Sequence, residues 1–172
     1  EPLAGLTAHE VCQLGVSRTF QLTALFPEMT ARENARLAAQ ARQRRSWQPY
    51  GGKNIFAIAQ RLGDAALEQI GLTHVADRPA GLLSHGDQRL LEVAMALAQE
   101  PRLILMDEAT SHLDMNHRLE IMQIVERLNR ERGVTVLMIS HDLNLAAEFC
   151  SRLLLLEHGK IVADGAPLDV LK

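Results

Sequence analysis

Two adjacent carboxylates, Asp107 and Glu108, follow the apolar run Leu103 to Met106, and a serine–histidine pair, Ser140-His141, follows the apolar run Val134 to Ile139. Between them, Arg118 to Arg130 carries Ile121, Ile124, Val125 and Leu128 at helical spacing. Strand, helix, strand in that order predicts a parallel sheet covered by helices, and ligands in such a sheet sit beyond the carboxyl ends of the strands. Asp107, Glu108 and His141 are thereby directed to one site. Phosphoryl transfer to water is one chemistry that needs such groups, since a metal must be held, a water oriented and negative charge met. A second candidate is Ser84-His85-Gly86-Asp87-Gln88, at the start of a predicted helix over about 88–99. Serine and glycine at a helix N-terminus present a hydroxyl, backbone N–H groups and the positive dipole end to an anion.

Each of these has a plain alternative. Asp-Glu after a strand also caps a following helix, a serine in the place of Ser84 is an ordinary N-cap, and His141 also reads as a core histidine or as part of the N-cap of the helix beginning near Asp142. The remaining histidines, His9, His74, His112, His117 and His158, have no mutual metal spacing and read as surface or loop residues. Cys12 and Cys150 form neither a disulfide framework nor a C-x-x-C pair, which fits a reducing compartment.

Taken together and in order, Leu83-Ser84-His85-Gly86-Asp87-Gln88, Leu103 to Glu108, Ser111-His112-Leu113-Asp114 and Ser140-His141-Asp142 resemble the ABC transporter ATPase family: a signature loop, a Walker B strand with its carboxylate, a D-loop and a switch histidine. The resemblance implies an α/β fold, a P-loop NTPase-like parallel sheet core with a helical lobe carrying the signature loop. It implies ATP and Mg²⁺, with Asp107 holding the metal, Glu108 as general base on the attacking water and His141 on the γ-phosphate. Gln21, after Arg18-Thr19-Phe20 and before Leu25-Phe26-Pro27, stands where the Q-loop glutamine is expected and would reach both metal and water. Ser84, His85, Gly86, Asp87 and Gln88 would bind ATP held by an opposite subunit in a head-to-tail dimer, with Asp114 communicating between the two sites. The family's usual glycine is His85 here, and its usual proline is Ala109.

One piece is absent from these 172 residues. No G-x-x-x-x-G-K-[ST] phosphate loop occurs; Gly51-Gly52-Lys53 has Trp47 and Asn54 at the two flanking positions the motif needs. With Glu1 as first residue, the chain reads as N-terminally truncated and, taken alone, as a poor nucleotide binder and an inactive ATPase.

The elements that position these groups are legible. Thr30 with Glu33 forms a capping box ahead of Ala35 to Ala41, and Ile58, Leu62, Ala66 and Ile70 mark a second helix ending at Gly71. A helical lobe is expected over about 22–99, and the nucleotide-binding core over about 1–21 and 100–172. Val11 to Gln21 is expected to end in a short strand. Arg152 to Gly165, broken at His158-Gly159, predicts a closing hairpin.

At 47% hydrophobic with a net charge of −3, the chain can bury a core and gives no electrostatic reason to expect nucleic acid. The three arginines near Trp47 read as a solvated surface. No apolar run approaches the roughly 20 residues that span a bilayer. The resemblance places the protein at the cytoplasmic face of the membrane, peripherally, through integral permease subunits. Its first half is similar to ATPases of branched-chain amino acid importers, its second half to those of iron-siderophore, haem and cobalamin importers. Two other classes stand beside the importer ATPase: a non-catalytic half offering its signature loop to a complete partner, and an ABC protein of DNA repair or translation, which the acidic balance disfavours.

Overall fold

The computed structural model describes residues 5–19, 25–42, 52–107 and 115–171. Its elements are α1 (Ala8–Gln13), β1 (Val16–Thr19), α2 (Ala31–Ala41), α3 (Gly52–Ile70), α4 (His85–Ala98), β2 (Leu103–Asp107), α5 (Met115–Arg132), β3 (Thr135–Ile139), α6 (Leu143–Phe149), β4 (Leu153–Glu157), β5 (Lys160–Gly165) and α7 (Pro167–Val170), with 3₁₀ turns at Leu72–Val75 and Ala80–Leu82. By contact density the chain divides into two compact units, Glu1–Met138 and Ile139–Lys172.

The first unit holds the helical lobe. The expected capping box is present: Thr30 Oγ1 accepts from the Glu33 N–H at 3.1 Å, and the Glu33 carboxylate accepts from the Thr30 N–H at 2.8 Å. This starts α2 with its alanines on one stripe; Ala31, Ala35 and Ala39 are all fully buried. Small residues let helices approach closely, and Gly63 of α3 takes that to its limit, since a Cβ there would stand 2.9 Å from the Arg36 backbone nitrogen. Larger residues fill the space beyond this crossing, with Leu67, Leu72 and Leu91 buried to within 1%. Arg32 closes the surface by pairing with both Asp64 and Asp77.

Asn34 is a buried polar exception with a structural reason. Its amide donates to the carbonyls of Phe26 (3.1 Å), Met29 (3.3 Å) and Thr30 (2.9 Å), and its Oδ1 accepts from the Phe26 N–H at 2.9 Å. One side chain thus satisfies four backbone groups of the turn that leads into α2.

β1, β2 and β3 form one sheet in that order. β1 and β2 are parallel, in the register Val16↔Leu103, Ser17↔Ile104, Arg18↔Leu105 and Thr19↔Met106. Alternation along the strands gives the sheet two unlike faces. Ser17, Ile104 and Met106 are buried, whereas Leu137 and Ile139 of β3 lie about half exposed, at 46% and 49%.

Residues Val11 to Gln13, expected to lead into a strand, are instead the last turn of α1. Thr7 and Glu10 form a second capping box there, which starts a helix before β1 can begin. α4 begins at His85, three residues earlier than its apolar pattern, because Ser84 caps it. In the second unit, β4 and β5 make the expected antiparallel hairpin. His158 and Gly159, at φ of 49° and 75°, form the two-residue turn whose twist suits such strands.

Candidate functional site

Asp107 is the last residue of β2, delivered there by the run Leu103–Met106. Its Oδ2 accepts from Arg18 Nη2 at 2.7 Å, in an ion pair whose side chains are 23% and 53% exposed respectively. A partly exposed carboxylate at a strand end, already facing a cation, is a hard oxygen donor of the kind Mg²⁺ uses. Among the described residues no group of three or more histidine, cysteine, aspartate or glutamate side chains could form a complete metal cage. A single carboxylate suits an ion that takes its other ligands from phosphate and water.

The signature segment is built as a rigid helix start. Ser84 sits in extended backbone as N-cap, its Oγ accepting from the Asp87 N–H at 3.1 Å and donating to Asp87 Oδ2 at 2.7 Å. Gln88 reaches back, its Nε2 donating to the carbonyls of Ala80 (3.2 Å) and Leu83 (3.3 Å). Gly86 is buried, and a Cβ on it would overlap the imidazole of His117 in α5. His85 is exposed. Of the five residues, Ser84, Asp87 and Gln88 therefore shape the helix start, Gly86 allows α5 to approach, and the side chains of Ser84 and His85 are exposed. The plain N-cap reading of Ser84 is correct as structure and is compatible with an anion role, since both use the same helix start.

His141 lies in the second unit, exposed, just after β3. The cap of α6 is Asp142, whose Oδ1 accepts from the Leu145 N–H at 3.1 Å while its own N–H donates to Ser140 Oγ at 3.0 Å. His141 is thus neither a core histidine nor the capping residue. Gln21, Glu108 and Asp114, together with Ala109 and His112, lie outside the described residues. The downstream flank of Gln21 is described, and it is the turn held by Asn34.

Arg18 is a partner of Asp107 that the motifs did not single out. The contact follows from the strand register, which places Arg18 beside Leu105 and one alternation from Asp107 and which no local sequence signal gives. The groove along α3 is a further feature, shallow and open, lined by Phe56, Gln60, Arg61, Asp64, Glu68 and Thr73. No described helix is long and apolar enough to cross a membrane.

Comparison with known proteins gives the same outline. The profile of the ABC transporter family matches residues 5–111. The iron(3+)-hydroxamate import ATP-binding protein FhuC of Bacillus subtilis is 45% identical over 106 residues, 62% of this chain and 39% of its own length. The high-affinity branched-chain amino acid transport ATP-binding protein BraF of Pseudomonas aeruginosa is 35% identical over 176 residues, 99% of this chain and 69% of its own. Among solved structures, the dimeric post-hydrolysis state of the ATP-binding cassette MJ0796 bound to ADP and Pi superposes with a TM-score of 0.73 at 29% identity, covering 95% of this chain and 68% of that one. The chain therefore spans about two fifths of FhuC and about two thirds of BraF and of that cassette. A signature helix and a Walker B strand in an α/β frame shared with ATP-binding cassettes, and a family profile running through both, make one statement: the chain belongs to the ABC transporter ATP-binding family.

Proposed function

We propose that the protein is the ATP-binding and hydrolysing subunit of an ABC importer, energising uptake of branched-chain or other amino acids. The observation that carries this reading is Asp107, a cation-paired carboxylate at the carboxyl end of a parallel strand, in the same compact unit as a helix start shaped by Ser84, Asp87 and Gln88.

In this reading Asp107 holds Mg²⁺, which offsets the charge of the ATP phosphates. Glu108 takes the proton of the attacking water, Gln21 orients that water, and His141 contacts the γ-phosphate from the switch position. Ser84, His85 and Gly86 face the ATP of a second subunit, with the α4 N-terminus directed at its phosphates and Asp114 between the two sites. The phosphate loop that grips the β- and γ-phosphates is a part this stretch of sequence does not contain. The α3 groove, with one aromatic side chain among charged ones, supports docking to a permease subunit. That contact keeps the protein peripheral, at the cytoplasmic face of the membrane.

BraF, which aligns over nearly the whole chain including the lobe, supports amino acids as the solute. A second reading rests on FhuC, more similar over a shorter stretch, and takes ferric hydroxamates as the solute. Joining the phosphate-loop portion of BraF ahead of Glu1 gives a complete cassette to test in cells. Restored leucine uptake in Pseudomonas aeruginosa lacking BraF supports the first reading. Restored ferric-hydroxamate uptake only, in Bacillus subtilis lacking FhuC with the corresponding FhuC portion joined, replaces it with the second.

A further inference from the structure

The contact between Arg18 and Asp107 spans 89 residues of sequence, yet it follows from the register of two strands. Arg18 pairs with Leu105, and Asp107 is two residues further along β2. Residues two apart on a strand share a face, so Arg18 and Asp107 lie on the same side of the sheet on adjacent strands. An arginine side chain is long enough to bridge that diagonal, and Nη2 meets Oδ2 at 2.7 Å. Asp107 is one of the partners of Arg18, which makes further interactions.

A guanidinium and a divalent metal make the same demand of a carboxylate. Each needs oxygen lone pairs and negative charge, and each repels the other when both are close. We infer that Arg18 is a tethered counter-cation for Asp107, a positioning residue that neutralises and orients this carboxylate and competes with the divalent metal for it. The inference rests on the proposed role of Asp107 as metal ligand. It has two consequences for nucleotide binding. Without metal, Asp107 presents a neutralised pair to the triphosphate instead of a repelling charge. With metal, Arg18 gives way and the carboxylate is freed for the cation.

Because both partners are partly exposed, the competition is modest, about twofold to fivefold in metal affinity. The probe is Mn²⁺ alone, titrated into the ¹⁵N-labelled chain, with broadening of the amides of 16–19 and 104–107 as readout. Arg18→Met shifts the midpoint to about twofold to fivefold lower Mn²⁺, and Arg18→Lys, which keeps the charge, stays within about 1.5-fold of the parent. Asp107→Asn abolishes the local broadening in every background. Should Arg18→Met fail to fold, Arg18→Gln, which retains a donor without charge, carries the same prediction. Broadening that appears only once Arg18 is replaced also supports the inference. An unchanged or raised midpoint, with Asp107→Asn still abolishing the effect, overturns the role of Arg18 and leaves Asp107 as ligand. Broadening that survives Asp107→Asn, or that appears in neither the parent nor the Arg18 variants, overturns both.

Discussion

The imidazole of His117 occupies the space that any side chain on Gly86 would need. This ties the signature helix α4 to the first turn of α5, immediately after the segment 108–114 that carries Glu108 and Asp114. A glycine that reads as part of an anion-binding loop is here also the point at which two helices touch.

Gly86→Ala is expected to cost about 1–3 kcal/mol, the usual range for an overpacked site, despite the better helix propensity of alanine. In the double variant with His117→Ala the ring is gone and most of that cost is recovered. Urea unfolding of the two single variants and the double variant checks this as a coupling energy. Additive effects would show that the ring does not pack against Gly86.

Asn34 is the largest single polar commitment in the lobe. Asn34→Ala orphans the Phe26 N–H and removes the donor shared by three carbonyls, and a loss of about 2–4 kcal/mol is expected. The turn over 26–30 leads back towards Gln21, so amide hydrogen exchange there accelerates more than in β1 or β2. Equal protection in variant and parent contradicts the account.

Acid stability follows from the capping boxes and the hairpin. The Glu33 carboxylate is held below its usual range by the Thr30 backbone N–H and then by the Thr30 hydroxyl, and Glu10 likewise by Thr7. Asp164 is lowered by its hydrogen bond from Arg152. For a depressed carboxylate the stabilisation is fully present above the unfolded-state value, about 4 for these groups, and disappears as pH falls through the lower folded-state value. Unfolding midpoints measured from about pH 6, above that value, to about pH 3, below it, therefore fall with acid, and Glu33→Gln flattens the fall. An identical acid limb in Glu33→Gln would remove the capping box as its source.

Ser84 separates two kinds of change. Ser84→Ala removes a cap and costs about 1 kcal/mol of stability. Ser84→Arg places bulk and charge at the face proposed for the partner's ATP, so in a cassette completed with a phosphate-loop portion it lowers ATP-dependent pairing beyond what Ser84→Ala does. Sedimentation with and without ATP distinguishes them, and equal pairing by both variants contradicts the proposed face.

Local signals were readable from the chain. The Thr30–Glu33 box, the Ile58-to-Ile70 spacing, the turn at His158-Gly159 and the apolar run ending at Asp107 each depend on neighbours within a few residues, and each produced the element expected. The box at Thr7–Glu10 is equally local, but the helix it starts is only six residues long and has no buried residue, so no apolar periodicity marks it. Long-range relations were not readable. Arg18 against Asp107 depends on which strand lies next to which and in what register, and Gly86 against His117 depends on how two helices cross. The motif order placed Ser84 and Asp107 in a family pattern, but only the packing shows which of the signature residues shape the helix start and which are exposed.

In the proposed function this chain brings a hydrolytic carboxylate and a signature loop to ATP shared between two subunits. The direct measurement uses the 172 residues completed with the BraF phosphate-loop portion, comparing parent and Glu108→Gln for ATP turnover and for ATP-dependent dimerisation. Loss of a general base predicts turnover reduced by at least about 100-fold, with the dimer retained and longer lived. Turnover unchanged in Glu108→Gln, or no ATP-dependent dimer in either protein, would contradict the account.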